Sequence, residues 1–226
     1  MSGVNFACTL SKRIDMSIVE YLNVPDSAHL SPTITANVRD SAENPIARRL
    51  RGMGSSFFWA TQLLPVTRRE AIYAVYAYCR ELEDIADSEA SPSQRHAFLS
   101  DWRNQIASLY AGQPRHPLTR ALSEAVRLYG LRSDDFLAVI DGREMDVSSD
   151  IRPPSLMELD LYCERVAVAP ARLSMRIFGE ETPAGERVAT ELGRALQLTV
   201  LLRDLRKDAG RQRLYCLKSC CTRTTS

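Results

Sequence analysis

Two pairs of acidic residues stand at the spacing of one helical turn. The first lies in Tyr76-Ala77-Tyr78-Cys79-Arg80-Glu81-Leu82-Glu83-Asp84-Ile85-Ala86-Asp87. At about 100° per residue, Tyr76, Arg80, Glu83 and Asp87 fall within roughly 60° of one another on a helix. One stripe would then carry a phenol, a guanidinium and two carboxylates, with Asp84 beside it. Like charges at this spacing repel, and a divalent cation removes the penalty. Mg²⁺ is commonly held by one or two carboxylates together with substrate phosphates. The second pair repeats the pattern: Gln197, Leu201, Asp204 and Asp208 share a stripe by the same count. If the two helices face each other, four carboxylates converge on one cavity, an arrangement suited to metal ions bridging a diphosphate. The plainer reading is a solvated helix face. Arg80 then pairs with Glu83 or Asp84, and Arg203, Arg206 or Lys207 with Asp204 and Asp208, each pair contributing little.

The elements that must carry these residues read as helices. Thr67-Arg68-Arg69-Glu70 is a capping box, predicting a helix to about Asp87. Ser91-Pro92 opens the next, with the stripe Phe98, Leu99, Trp102, Ile106 and Leu109. Leu118, Leu122, Ala125, Val126 and Tyr129 mark another, ended by Gly130, and Ser133 caps the one after it. Ser155 and Glu158 form a second capping box, predicting a helix to Gly179. Thr182-Pro183 starts the last, which runs to about Asp208. No alternating strand pattern with hairpin turns appears. The expected fold is all-α, with long helices around a shared interior. Residues 1–51 read as an irregular leader, 52–215 as the helical domain and 216–226 as an atypical tail.

Composition narrows the chemistry. The 226 residues hold 29 Lys plus Arg against 28 Asp plus Glu, a net of +1, so no overall field grips nucleic acid. The longest apolar run, Ala71 to Cys79, is far short of the about 20 residues that span a bilayer. Six cysteines without a framework spacing fit a reducing compartment. The three histidines (His29, His96 and His116) are scattered, so carboxylates are the expected carriers of any reaction.

The motifs around the acidic pairs occur in a telling order. They are Ser55-Ser56-Phe57-Phe58, the Tyr76 to Asp87 stretch, Tyr162-Cys163-x-x-Val166-Ala167, Leu192-Gly193-x-Ala195-Leu196-Gln197-Leu198-Thr199, Arg203-Asp204-x-x-x-Asp208 and Arg213-Leu214-Tyr215. Together they resemble the squalene/phytoene synthase family over about residues 52–215. Asp141-Gly142-x-Glu144-Met145-Asp146-Val147 and Arg172-Leu173-Ser174-x-Arg176-Ile177-Phe178-Gly179 look most like its hopanoid-pathway members. The resemblance implies an isoprenoid-synthase helical bundle with a central cavity. It also implies head-to-head joining of two farnesyl diphosphates with release of diphosphate. Mg²⁺ would sit on Glu83, Asp84, Asp87, Asp204 and Asp208. Tyr76, Tyr162 and Arg80 would be the catalytic side chains. Ser56, Phe57, Arg80, Gln197, Arg213 and Tyr215 would bind substrate. A cytoplasmic enzyme touching the inner face of the membrane is implied as well.

Several positions depart from the family pattern. Glu83 stands where Asp is usual, Val200 for Asn, Lys207 for Glu, and Pro170-Ala171 for Val-Gly. A proline inside a helix loses a hydrogen bond and clashes one turn back, so a kink is expected at Pro170. Family members continue past Tyr215 with further helices. The expectation here is a truncated or frame-shifted end with apolar surface left uncovered. Two other functions stay open. One is a phytoene synthase-like reaction of geranylgeranyl diphosphate. The other is an inactive relative serving as a helical interaction protein.

Overall fold

The computed structural model describes residues 61–148 and 155–210, with backbone alone over 205–210. Contacts divide the chain into two units, Met1–Arg69 and Glu70–Ser226. Of the first, only 61–69 are described. There Leu64 N–H donates to the Thr61 carbonyl at 3.1 Å, and Arg69 N–H to that of Pro65 at 2.9 Å. The expected boundaries at 51/52 and 215/216 lie outside the described residues.

Every regular element among the described residues is helical, as the sequence patterns require. The helices are α1 (Val66–Asp87), α2 (Pro92–Tyr110), α3 (Pro117–Tyr129), α4 (Ser133–Ser148), α5 (Leu156–Cys163), a π turn (Glu164–Val168), α6 (Ala169–Phe178) and α7 (Pro183–Gly210). The Ser91 cap of α2 is a full capping box. Its side chain accepts from Gln94 N–H, and its own N–H donates to Gln94 Oε1 at 3.0 Å. Ser155 and Glu158 do the same for α5. Glycines in the left-handed region close α3 (Gly130, φ 57°) and α6 (Gly179, φ 86°), where a side chain would be strained. Two local expectations shift. α1 begins at Val66, so Thr67 lies inside it rather than capping it. In α2, Leu99, Trp102, Ile106 and Leu109 are buried as expected, but Phe98 faces solvent.

The core of the second unit is built on an i, i+4 stripe of α1, Tyr78, Leu82 and Ala86, all buried. Tyr78 anchors it. Its ring meets Trp102 and Phe136 edge-on, with centroids 5.6 and 5.2 Å away, and its hydroxyl donates to the Phe136 carbonyl at 2.9 Å. Burial pushes this phenol well above its ordinary pKa, so it stays a neutral donor. α1 is thereby pinned to α2 and α4. α4 packs in turn on α2, α6 and the π turn, and α7 lies along α5, the π turn and α6.

The π turn was not expected. The sequence predicts one helix from 156 to 179 with a kink at Pro170. Instead the helix continues through a widened turn, in which Ala169 N–H donates to the Glu164 carbonyl five residues back. Pro170 then sits in the first turn of α6, where a missing N–H is tolerated. The wider register also relieves the one-turn-back clash that proline makes in a regular α-helix. Two glycines clasp this turn. A Cβ on Gly142 of α4 would come within 2.6 Å of Val166 Cγ1 and 3.0 Å of Arg165 Cβ. One on Gly193 of α7 would lie 3.1 Å from Val168 Cα and 3.2 Å from the Ala167 carbonyl group.

Ion pairs tie the same elements together. Arg103 of α2 meets Asp141 and Glu144 of α4, and Arg165 of the π turn reaches Asp141 at 3.6 Å. Arg172 of α6 gathers Glu164, Glu186 and, at 3.8 Å, Asp135. Asp135 is buried, and its second oxygen has no hydrogen-bond partner. Burial raises its pKa, outweighing Arg172, Arg132 and Arg176, with Glu186 adding to the rise. The folded chain therefore holds this proton more tightly than the unfolded chain does. Stability from this group falls as pH climbs from the ordinary carboxylate range through the raised value. Asp135→Asn is expected to leave Tm equal or higher at pH 7, since Arg172 keeps Glu164 and Glu186. The difference from wild type should shrink on acidification, as thermal unfolding at several pH values would show. A variant markedly less stable than wild type at pH 7 would contradict this.

Candidate active site

The half-buried side of α1 carries the predicted stripe. Tyr76, Arg80, Glu83 and Asp87 are all of intermediate exposure, while Tyr78, Leu82 and Ala86 fill the core. Helical periodicity alone separates the two faces. Arg80 donates to Glu83 at 3.0 Å and reaches Asp84 at 3.0 Å, the pairing that the plainer reading foresees. Cys79 lies behind this face. Burial pushes its thiol up to about 12, so it is no nucleophile at neutral pH.

The second acidic segment follows the same logic. Leu201 is buried, and Gln197 and Asp204 are half-buried, whereas Leu198, Val200, Leu202 and Arg203 are exposed. The stripe Gln197, Leu201, Asp204 is thus the inward side of α7. Arg203 caps the Asp204 carboxylate with two hydrogen bonds of 2.8 and 2.9 Å. Asp208 lies in α7 with its side chain outside the described atoms. Ser56, Phe57, Arg213 and Tyr215 fall outside the described residues altogether.

An apolar cluster joins α5, the π turn and α7. Leu159, Tyr162, Cys163, Val166 and Leu201 pack together, with Met145 and Ala167 against them. Tyr162, Val166, Ala169 and Leu173 are all buried. Leu201 belongs to this cluster and lies one turn before Asp204.

The sequence reading gave no role to Arg143 and Asp146 of α4. Arg143 Nη1 donates to Asp146 at 3.0 Å, and the Asp146 side chain is only 2% exposed. Arg143 Nε is buried without a hydrogen-bond partner. Burial disfavours the Arg143 charge, but Asp146, Tyr162 and Glu83 more than compensate and raise its pKa. This guanidinium is therefore electrostatically coupled both to the carboxylate stripe of α1 and to the tyrosine of the apolar cluster. The i, i+3 spacing of Arg143 and Asp146 was visible in the sequence, but such a pair ordinarily lies on a surface.

Donor chemistry suits a hard cation. Glu83, Asp84, Asp87 and Asp204 offer only carboxylate oxygens, and Glu83 and Asp84 already hold a positive group in Arg80. Among the described residues, no three acidic, His or Cys side chains are already gathered into a ligand set.

A helical bundle with acidic stripes on two of its helices defines an isoprenoid-synthase type of fold, and comparison with solved structures agrees. A dehydrosqualene synthase bound to a ligand superposes with a TM-score of 0.68 at 26% identity, over 84% of this chain and 64% of that one. A squalene synthase from Alicyclobacillus acidocaldarius gives 0.69 over 87% and 72%; at 24% identity it speaks for the fold alone. The squalene/phytoene synthase family profile matches residues 50–216, and the chain belongs to that family. A presqualene diphosphate synthase from Rhodopseudomonas palustris is 50% identical over 171 residues, covering 76% of this chain and 61% of that protein. One from Sinorhizobium fredii is 48% identical, covering 74% and 60%. A phytoene synthase from Arthrospira platensis is 31% identical, covering 82% and 64%. The chain thus spans about 60% of the length of these two presqualene diphosphate synthases.

Proposed function

We propose that the chain carries out head-to-head condensation of two farnesyl diphosphates to presqualene diphosphate, with Mg²⁺ as cofactor. The observation that carries this reading is the gap in identity, 48–50% to three presqualene diphosphate synthases against 31–33% to the phytoene synthases. Glu83, Asp84, Asp87, Asp204 and Asp208 would hold the metal, which neutralises charge growing on the departing diphosphate.

The remaining work falls to the chain's own side chains. Arg80, which reaches Glu83 and Asp84, would bind a diphosphate oxygen beside the residues that hold the metal. Loss of diphosphate from one farnesyl chain leaves an allylic cation. The double bond of the second chain attacks it, and proton loss closes the cyclopropane, giving presqualene diphosphate, diphosphate and a proton. Water would quench that cation, and the dry cluster around Tyr162, Val166 and Leu201 is suited to exclude it. Tyr162 belongs to this cluster and Tyr76 to the half-buried stripe of α1, and both would be the catalytic tyrosines. Among the described residues no helix is long and apolar enough to cross a membrane. A cytoplasmic protein working at the inner membrane face is the location we propose.

Incubation with farnesyl diphosphate and Mg²⁺ should release diphosphate. Asp87→Ala should cut the rate by on the order of 10²-fold or more, as loss of transition-state charge stabilisation does elsewhere. An unaffected Asp87→Ala rate would overturn the carboxylate mechanism. Mass analysis of the product separates presqualene diphosphate from phytoene when geranylgeranyl diphosphate is supplied. A folded chain releasing no diphosphate from either substrate would favour the inactive relative.

A further inference from the structure

One face of α7 meets its neighbours in two different ways. Gly193, Gln197, Leu201 and Asp204 fall within about 80° of one another on the helix, and none of the four is exposed. At the Gly193 end the contact is backbone against backbone. A Cβ there would lie 3.1 Å from Val168 Cα and 3.2 Å from both the carbonyl carbon and the carbonyl oxygen of Ala167. Two turns further on, side chains fill the gap, for Leu201 packs with Leu159, Tyr162, Cys163 and Val166. The rod formed by α5 and the π turn therefore lies closest to α7 at Gly193 and is held off by side chains toward Asp204. Arg194, ion-paired with Asp160 of α5, ties the same seam. The helix itself does not call for this glycine. It sits in the interior of Pro183–Gly210, where alanine is the better helix former, and its φ is not positive. Close approach is what calls for it. Its case differs from that of Gly142, whose added methyl would meet side-chain atoms first. Main-chain atoms cannot rotate aside.

We infer that Gly193 is a positioning residue for the second acidic stripe: it seats α7 directly on the π turn and so sets where Gln197 and Asp204 stand relative to Tyr162. The inference rests on the proposed prenyl diphosphate chemistry and adds to it the element that fixes one set of metal-side carboxylates. A side chain at 193 must push the two backbones apart by about a few tenths of an ångström. Gly193 and Asp204 belong to one closely packed rod, so the displacement is passed along it rather than absorbed. Functional groups must be held within about 0.5 Å, and a misplacement of about 1 Å can cost on the order of 10²-fold. A single methyl should then cost about three- to tenfold by the same scale.

The test is binding of Mn²⁺, a stand-in for Mg²⁺, to the full chain in the presence of inorganic pyrophosphate. Binding is followed by electron paramagnetic resonance, with Tm measured on each variant. Gly193→Ala should keep a cooperative thermal transition and lose about three- to tenfold in affinity, and Gly193→Val should lose more. Leu122→Ala, which opens the core at buried Leu122 of α3, should lower Tm without changing the affinity. Folded Gly193 variants that bind as wild type does would overturn the positioning role. If Asp204→Asn loses binding in the same experiment, the site itself stands and only Gly193 is misassigned. Should neither Gly193 variant fold, Leu201→Ala decides, because it lets the wider end of the seam close. An affinity equal to that of Leu122→Ala overturns the role, and a loss of about three- to tenfold supports it. If the folded wild-type chain binds no Mn²⁺ with pyrophosphate, the prenyl diphosphate reading and this inference fall together.

Discussion

Replacing Asp146 with alanine is expected to destabilise the chain by about 3–5 kcal/mol, the usual cost of stranding one partner of a buried ion pair. Asp146 is almost fully enclosed, and its Arg143 partner is 15% exposed. Neither charge can recover its hydration without opening α4 from its neighbours. For a chain of this length the loss corresponds to a fall in Tm of roughly 6–20 °C. Arg143→Met/Asp146→Asn should cost much less, because it removes both charges together. The comparison isolates stranded charge from lost packing. If Asp146→Ala and the double variant unfold at the same temperature, the pair is better hydrated than its enclosure implies.

The second large effect is expected at Gly142. On helix propensity alone, Gly→Ala should stabilise α4 by about 1 kcal/mol. Here the added methyl would meet Val166 Cγ1 at 2.6 Å and Arg165 Cβ at 3.0 Å. Val166 is β-branched and stiff at χ1, so it cannot rotate out of the way. Overpacking of this kind typically costs about 1–3 kcal/mol, so Gly142→Ala should be net destabilising despite its better propensity. The check is a double-mutant cycle with Val166→Ala. Relief of the clash should make the two changes less harmful together than their sum, by about 0.5–3 kcal/mol. Simple additivity would mean that α4 and the π turn separate more easily than their spacing indicates.

These two positions show what the sequence could and could not convey. Helix order and ends were legible because they are written locally. Ser91 with Gln94, Ser155 with Glu158, Gly130 and Gly179 each decide a boundary through their own backbone chemistry. The faces of α1 and α7 were legible too, since a 100° count sorts Tyr78, Leu82 and Ala86 from Arg80, Glu83 and Asp87. The pairing of Arg80 with Glu83 and Asp84 also follows from spacing. What depends on distant segments was not legible. Nothing local to Asp141-Gly142-Arg143 reveals that the π turn presses against Gly142, or that the Arg143–Asp146 pair is enclosed. Pro170 announced a disturbance but not its form, because a kink and a π turn both accommodate a missing N–H. The metal-side expectations for Glu83, Asp84, Asp87, Asp204 and Asp208 were carried by family resemblance, and they now form part of the proposal.

Large apolar side chains are exposed on several helices, most of all on α5 and α7. Met157 on α5 and Leu202 on α7 are 80% and 69% exposed, and Leu192 and Leu196 continue the surface along α7. The tail itself lies outside the described residues.

The widened turn at Glu164–Val168 acts as a phase adjuster. It inserts a fraction of a rotation between the part of the rod that presents Tyr162 and the part that presents Leu173. Each half can therefore aim its side chains at a different neighbour without the rod being broken in two. An ordinary helix would lock both aims to a single angle, and a loop would leave them uncoordinated.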